Sequence, residues 1–503
     1  MYEPIQKILE YSFKNFPDNI AISSDDVNIT YSILEKCSKK WSYILAKRLD
    51  NIEFPRCALL FKNRINYVFA MISVLFLRGV FIPIDLSLPK EKILQILNNN
   101  DIDILLYDFN DINNEIFSFL EIDSLRFDYA KYSDVSENID VRCYSNLDNY
   151  CVDDPIYLYF TSGSTGISKG VLGKNISLVH FINWEITRFN INSDVSIAQL
   201  TIPSFDPFLR DIFVPLFVGG KICLLSERYE RLSFNFIVDY LIEKQITLLH
   251  CVPNIFHVLL FCIQNKKINI LPLKYIFLAG DKIDISDIRL WYELIESDTV
   301  LTNLYGPTET TLAKLYHIVE KNDIECGDIP IGKPLPDVKV YLLNDLGEEA
   351  EQGEICIETE FSTFGYIDKS LNKGKFFDSS NSKAKIYHTG DYGIKRYDGE
   401  IIFIGRKDRQ VKLSGISANL SAIESCIRNN SDIQQCILTV DKTTGRLKCF
   451  YLSEYDIDFQ KLNLILLKYF QRVFIPIKYI KVPYMKTNNN GKLDFNQFND
   501  YEE

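Results

Sequence analysis

The chain has 503 residues, of which 47% are hydrophobic and 24% are charged, and its formal net charge is −12. This length and apolar content predict more than one folded domain with sizeable cores. The negative balance argues against general nucleic-acid binding, because that affinity rests on neutralising phosphates.

Three further features of the composition narrow the class of protein. No run of eighteen apolar residues occurs, and the first residues lack the basic and apolar regions of a secretory signal. The twelve cysteines contain no Cys-x-x-Cys pair, which favours reduced thiols over a disulfide framework. The five histidines show no metal-ligand spacing. We therefore expect a cytoplasmic protein with no membrane or nucleic-acid partner and no zinc site.

Apolar runs alternate with amphipathic segments over the first two thirds of the chain. The runs predict strands at Cys57–Phe61, Val80–Ile84, Ile104–Tyr107, Ile156–Phe160, Ile222–Leu225, Thr247–Cys251 and Tyr275–Ala279. The amphipathic segments predict helices at Tyr67–Leu77 and Phe234–Lys244. Such alternation is typical of α/β layers with largely parallel sheets.

The pattern changes near Ile331. Val338–Asn344 and Glu354–Glu360 alternate as short strands, which indicates a smaller β-rich unit. A turn-rich passage then leads to Asp408, where we place a domain boundary. The predicted fold is α/β. It has a large N-terminal domain, residues 1–407, of layered mostly parallel sheets with helices and a small β-rich unit. A small mobile α+β C-terminal domain, residues 408–503, follows.

One glycine- and hydroxyl-rich loop, from Thr161 to Gly170, follows the strand predicted at Ile156–Phe160. Its glycines let backbone N–H groups approach an anion, its hydroxyls add donors, and Lys169 adds a positive charge. The loop therefore predicts polyphosphate binding, with ATP as the common case. It differs from a Walker-type loop because an apolar pair, Val171-Leu172, follows the Lys-Gly step. The alternative is an ordinary surface turn.

Four later segments carry chemistry of the same kind. They are Asn303–Thr311, Tyr387–Asp391, Gly405–Lys412 and Asn490–Asp494. An aromatic ring such as Tyr305 suits stacking on a base, and the Glu309 carboxylate suits Mg²⁺. A carboxylate such as Asp391 accepts hydrogen bonds from both hydroxyls of a ribose. Each segment taken alone also fits an ordinary turn.

Together and in this order, the five segments closely resemble the adenylation domains of nonribosomal peptide synthetases. These domains belong to the adenylate-forming superfamily, with acyl-CoA synthetases and luciferase, and the resemblance spans essentially the whole chain. It implies a ligase that converts an amino acid and MgATP to an aminoacyl-adenylate and pyrophosphate. The acyl group then passes to the phosphopantetheine thiol of a carrier protein. ATP and Mg²⁺ are the implied cofactors.

The resemblance also implies roles for single residues, position by position. The phosphates would be contacted by Lys169, Thr308 and Glu309, with Glu309 as the Mg²⁺ ligand. Lys492 would act on the reacting carboxylate. Asp408 would be the hinge. The remaining nucleotide-binding positions would be Thr161, Ser162, Gly163, Ser164, Thr165, Gly166, Gly280, Asn303, Tyr305, Gly306, Asp391 and Arg406.

By the resemblance, Asp206 falls where the family's aspartate pairs with the α-ammonium of an amino acid. Such a pair is physically reasonable, because a buried carboxylate requires a cationic partner. A helix cap with Pro207 in the first turn is the structural alternative. The rest of the substrate pocket implied by the resemblance would be formed by Pro207, Arg210, His250, Phe277, Ala279, Leu304, Leu312 and Ala313.

Arg210 is unusual for such a pocket, and its guanidinium suits a second carboxylate. Residues 206–217 also resemble the adenylation part of fungal aminoadipate reductases. We therefore expect a polar or acidic side chain on the substrate, similar to 2-aminoadipate. The alternative is a structural ion pair of Arg210 with Asp211 or another acid.

The chain departs from the family between Leu413 and Leu420, where arginines and a glutamate are usual. This segment matters mainly for thioester formation. Two rival functions are an acyl- or aryl-acid CoA ligase, which Asp206 disfavours, and a non-catalytic scaffold. The intact Lys169, Glu309, Asp391 and Lys492 disfavour the scaffold.

Overall fold

A computed structural model describes most of the chain. The described residues are 2–24, 27–50, 52–109, 122–132, 149–162, 168–225, 236–296, 298–380, 383–413, 416–441, 444–486, 493 and 497–498. Within them, no helix combines the length and apolar character needed to cross a membrane.

The strands are short and, in the first half of the chain, mostly buried, as expected of apolar runs in a layered α/β fold. In chain order they are β1 (Ile20–Ser23), β2 (Asn28–Thr30), β3 (Arg56–Leu60), β4 (Val80–Pro83), β5 (Ile104–Tyr107), β6 (Asp123–Arg126), β7 (Pro155–Ser162), β8 (Ser168–Lys174), β9 (Ser196–Gln199), β10 (Lys221–Leu224), β11 (Leu248–Cys251), β12 (Tyr275–Ala279), β13 (Val300–Tyr305), β14 (Leu315–Ile318), β15 (Lys333–Pro334), β16 (Val338–Leu343), β17 (Gln352–Thr359), β18 (Phe376–Asp378), β19 (Lys385–Lys395), β20 (Ile401–Arg406), β21 (Gln410–Leu413), β22 (Ile416–Asn419), β23 (Gln435–Val440), β24 (Leu447–Leu452) and β25 (Lys478–Lys481).

The helices connect and cover these strands, and several begin at a side-chain cap. Thr30 accepts a hydrogen bond from the Ile33 N–H, and Asn419 accepts one from the Ser421 N–H. In chain order they are α1 (Ile5–Asn15), α2 (Tyr31–Arg48), α3 (Arg64–Phe76), α4 (Lys90–Asn98), α5 (Asn175–Arg188), α6 (Phe208–Val218), α7 (Ile237–Glu243), α8 (Pro253–Lys266), α9 (Ile285–Leu294), α10 (Lys321–Cys326), α11 (Leu420–Asn429) and α12 (Phe459–Tyr469).

Two large sheets dominate the described part of the chain. One has the strand order β15-β14-β13-β12-β11-β9-β10-β1-β2, and the other has β6-β5-β3-β4-β7-β8. The central strands pair in parallel, while β2, β8, β14 and β15 pair antiparallel at the margins. Helices α3, α5 and α6 are almost wholly buried between these layers. The predicted α/β class with mostly parallel sheets is therefore confirmed.

From β16 onward the described strands pair antiparallel, except for β24 and β25, which pair in parallel. β16, β17, β19 and β18 lie side by side, and β20 pairs with β19. Further along, β23, β24 and β25 form a separate sheet whose apolar cluster runs from Leu413 to Ile475. This matches the expected smaller β-rich unit and α+β region. The domain boundary at Asp408 and its role as a hinge stay predictions.

Candidate functional site

Three sheets meet around one short turn, Thr308–Thr310, which follows β13. The Tyr157 hydroxyl of β7 lies 2.8 Å from the Thr311 hydroxyl, so the second large sheet contacts this turn. The Tyr305 hydroxyl at the end of β13 donates to Asp391 of β19 at 2.6 Å. Tertiary folding thereby brings the second and third sequence motifs into contact, although 86 residues separate the two side chains.

The phosphate-loop motif lies on the β7–β8 hairpin. Thr161 and Lys169 are paired across the two strands. The Lys169 amine lies 5.9 Å from the centre of the Tyr366 ring, which places it beside the Glu309 turn. Four predicted positions, Gly163, Ser164, Thr165 and Gly166, lie outside the described residues, as does the side chain of Ser162.

Glu309 is buried and held from two sides. The Tyr366 hydroxyl donates to its Oε1 at 2.5 Å, and the Thr363 hydroxyl donates to its backbone carbonyl at 2.6 Å. Burial, and then the Glu309 charge, raise the pKa of both Tyr366 and Tyr387 above the ordinary value. Both hydroxyls therefore stay protonated and act as fixed donors around one carboxylate.

Asp391 is the second buried carboxylate of the site. Its Oδ2 accepts the Tyr305 hydroxyl and its Oδ1 accepts Arg406 Nη1 at 3.0 Å. Burial first, and then Asp391, raise the pKa of Tyr305 well above its ordinary value. The side chains of Tyr305, Asp391 and Arg406, predicted from three separate motifs, form one hydrogen-bonded group.

Glu354 supports this group from β17 and was not singled out in the sequence. Its Oε1 accepts the N–H of Gly390, the residue before Asp391, at 2.9 Å. Its Oε2 lies 3.8 Å from His388 Nδ1 and 3.6 Å from Lys407 Nζ. Hydrogen bonding by His388 and by the Gly390 N–H lowers the pKa of Glu354 to about 2. None of the five sequence motifs includes Glu354, so only the fold shows this contact.

We expect Glu354→Gln to lower the free energy of unfolding by about 2 kcal/mol at pH 7. The pKa is lower in the folded state, so the stabilisation is present above about pH 4.5 and disappears as the pH falls towards 2. Urea unfolding between pH 7 and pH 3 measures this difference. Replacing the exposed Glu351, which immediately precedes the same strand, by glutamine is the control. A deficit at pH 3 as large as that at pH 7 would exclude the carboxylate as its cause.

Gly306 shows why glycine is needed after Tyr305. A Cβ at this position would lie 2.2 Å from the Leu312 carbonyl oxygen, so the two backbone segments touch. Gly280 after β12 has a φ of +96°, and the neighbouring Asn303 side chain donates to the Pro330 carbonyl at 2.7 Å. These backbone contacts shape the turn that carries Thr308 and Glu309.

We expect Gly306→Ala to separate these segments and to lower adenylate formation at least about tenfold, because a 1 Å displacement of positioned groups is costly. The melting temperature should also fall. Gly327→Ala is the matched control, since its φ is +87° but nothing lies within 4 Å of the added Cβ. Unchanged pyrophosphate exchange in the Gly306 variant would contradict this reading.

The predicted substrate pocket lies on one face of the larger sheet. The strand register places His250, Phe277 and Thr302 side by side, with Ala279 and Leu304 one step further along the same face. Leu312 and Ala313 are buried after the turn. The register therefore brings together residues that the resemblance named one by one.

Asp206 lies where this pocket meets the nucleotide residues. It is 5% exposed, and its Oδ1 accepts the Thr308 hydroxyl at 3.0 Å. Helix α6 begins at Phe208 without a side-chain cap, and Pro207 precedes it. Pro207 already has helical dihedral angles, with φ −57° and ψ −18°, so a helix start at this residue stays the structural alternative for Asp206.

His250 lies between two fully buried carboxylates. Its Nε2 is 2.9 Å from Glu185 Oε1 of α5, and its Nδ1 is 2.8 Å from Asp211 Oδ1 of α6. Burial lowers its pKa, but the two carboxylates more than offset this and the pKa lies above the ordinary value. Asp211 Oδ2 also accepts the Thr201 N–H at 3.3 Å.

The structure also contradicts the alternative of an ion pair between Arg210 and Asp211. Asp211 is engaged by His250, and within the described residues no carboxylate lies within salt-bridge distance of Arg210. Arg210 is 3% exposed, and its Nε has no hydrogen-bond partner. Glu185, which no sequence motif indicated, is the residue that completes this cluster.

Lys492 lies outside the described residues, and so does the side chain of Asp408. Ser414 and Gly415 of the atypical segment are outside them as well. At the end of that segment, the Asn419 amide donates to the Arg406 carbonyl at 2.7 Å. A residue of the segment that departs from the family thus contacts the backbone of a predicted nucleotide-binding residue.

Residues 9–367 match the family described as AMP-binding enzyme. The chain belongs to this family. Zwittermicin A synthase ZmaJ of Bacillus cereus is 27% identical over 97% of this chain and 93% of its own length. Bacitracin synthase 3 of Bacillus licheniformis is also 27% identical, but the chain spans only 8% of it. The resemblance to synthetase adenylation domains is confirmed, and the chain is an ATP-dependent adenylate-forming ligase.

The fold of this AMP-binding enzyme is shared with solved structures. Klebsiella oxytoca NpsA, in complex with 3-hydroxyanthranilyl-AMSN, superposes with a TM-score of 0.84 over 98% of both chains. Their sequences are 18% identical. At this identity the comparison establishes the fold, and the acyl substrate of the present enzyme has to be argued from its own residues.

Proposed function

We propose that this AMP-binding enzyme activates an amino acid, converting it with MgATP to an aminoacyl-adenylate and pyrophosphate. The observation that carries the proposal is the buried Asp206, which accepts the Thr308 hydroxyl at the edge of the predicted nucleotide site. A carboxylate in this place favours a ligand with a cationic group next to the reacting carboxylate. An α-amino acid has that arrangement, whereas a simple acyl acid does not.

In this proposal the nucleotide lies between the described motifs. Asp391 accepts the ribose hydroxyls, Asn303 and Tyr305 frame the adenine, and Lys169 and Thr308 contact the phosphates. The lone Glu309 carboxylate fits Mg²⁺, which usually takes one or two protein carboxylates and completes its shell with phosphate and water oxygens. Bound there, Mg²⁺ would neutralise phosphate charge. Lys492 would stabilise the charge that develops between substrate carboxylate and α-phosphate.

The second half-reaction would transfer the acyl group to the phosphopantetheine thiol of a carrier protein. Support comes from the similarity to zwittermicin A synthase ZmaJ and bacitracin synthase 3. The family resemblance implies that such synthases use carrier proteins. The side chain of the amino acid would be polar or acidic, as with 2-aminoadipate, because Arg210 lies in the predicted pocket.

An aryl- or acyl-acid CoA ligase is the second candidate. Two structures that share the fold favour it, NpsA with its 3-hydroxyanthranilyl ligand and the O-succinylbenzoate Coenzyme A synthetase MenE of Bacillus subtilis. ATP–pyrophosphate exchange with a panel of amino acids and aryl acids distinguishes the two, together with a CoA-consumption assay. We expect exchange with at least one amino acid and no CoA thioester formation. Exchange confined to aryl or fatty acids would reject the proposal. No exchange with any acid would favour the non-catalytic scaffold.

A further inference from the structure

Polar atoms without partners concentrate around the predicted pocket. Four buried side-chain atoms there have no hydrogen-bond partner in the described part of the chain: Tyr159 Oη, Glu185 Oε2, Arg210 Nε and Thr302 Oγ1. Thr302 shares the face of Phe277, whose ring stacks on His250 with centroids 5.5 Å apart. Buried polar groups are normally satisfied, so such a concentration indicates a polar ligand.

The charges in this cluster are distributed unevenly. His250 contacts both Glu185 and Asp211, which are fully buried. Arg210 lies one residue before Asp211 in the first turn of α6, but none of the described carboxylates contacts its guanidinium. A buried guanidinium is stable only with an acceptor of matching charge. None of the described residues provides that acceptor, so a carboxylate on the ligand would supply it.

We propose that Glu185 is a positioning residue for substrate specificity. Glu185 holds His250, and His250 in turn holds Asp211. Asp211 is thereby kept from pairing with Arg210, so that Arg210 is directed to a carboxylate at the end of the substrate side chain. This inference rests on the proposed amino-acid activation. Glu185 itself contacts His250 and does not need to touch the substrate.

The test measures ATP–pyrophosphate exchange by the full chain. Its substrates are two matched pairs of amino acids, 2-aminoadipate with norleucine and glutamate with norvaline, together with glutamine. The unmodified enzyme should prefer an acid over its apolar counterpart by at least about 100-fold in kcat/KM, because the apolar ligand leaves buried polar groups unpaired. Glu185→Gln should reduce this ratio about tenfold by raising KM for the acid, with KM for the apolar amino acid unchanged. Arg210→Met should abolish the preference.

His317 supplies the matched control, because it also lies between two carboxylates. Its Nε2 is 2.8 Å from Asp323 and its Nδ1 is 2.8 Å from Glu400, away from the pocket face. His317→Gln should leave the acid-to-apolar ratio unchanged. The inference is overturned if norleucine, norvaline or glutamine is preferred by the unmodified enzyme. It is also overturned if Glu185→Gln lowers the rates with acid and apolar substrates equally. Exchange with aryl acids alone would instead reject amino-acid activation itself.

Discussion

Replacing Asp206 with alanine is expected to lower kcat/KM for the preferred amino acid by about 10²- to 10³-fold. Removing one partner of a buried ion pair costs about 3–5 kcal/mol, and each 1.4 kcal/mol is a factor of ten. The carboxylate is 5% exposed, so water replaces it poorly. The loss should appear mainly in KM for the amino acid, because Asp206 is proposed to bind the ammonium group, which does not react.

Asp194→Ala is the control for Asp206, since Asp194 is exposed on the loop before β9. Exchange assays at saturating ATP and variable amino acid separate kcat from KM. The same Asp206 variant should not lose its ability to bind ATP. A full loss of ATP binding would mean that Asp206 supports the fold through Thr308 and not the substrate.

Replacing Asp391 with alanine is expected to lower kcat/KM for ATP by about 100-fold or more. Two hydrogen bonds from ribose hydroxyls to a carboxylate are worth about 1.5–3 kcal/mol each. Both carboxylate oxygens already accept from Tyr305 and Arg406, so the acceptor is fixed in place before the nucleotide arrives. KM for the amino acid should change little.

Asp345→Ala is the matched control, because it removes a comparable tyrosine–carboxylate bond. Tyr392 donates to Asp345 at 3.0 Å, at the β17–β19 sheet and outside the Tyr305–Asp391–Arg406 group. Isothermal titration with ATP and exchange kinetics measure the two variants. Equal losses in both would show that the Asp391 effect arises from sheet stability.

Much of the fold was predictable because its central strands are buried on both faces. Such strands appear as continuous apolar runs, and β5 and β12 coincide with the predicted Ile104–Tyr107 and Tyr275–Ala279. Boundaries elsewhere shifted by a few residues, as for α3, which starts at Arg64. The motifs were visible too, because their glycines and hydroxyls stand together in the chain, whereas the placement of Tyr305, Asp391 and Arg406 in β13, β19 and β20 came from the structure.

By itself, the sequence determined the α/β class, the family and the positions of the motifs, since all of these depend on short local patterns. Only the tertiary structure decided which acids lie beside His250. Glu185 and Asp211 are 65 and 39 residues from His250, and the packing of α5 and α6 against β11 brings them together. The spacing of these residues along the chain does not predict such a contact. Because Glu185 and Asp211 both contact His250, Arg210 has no carboxylate beside it among the described residues.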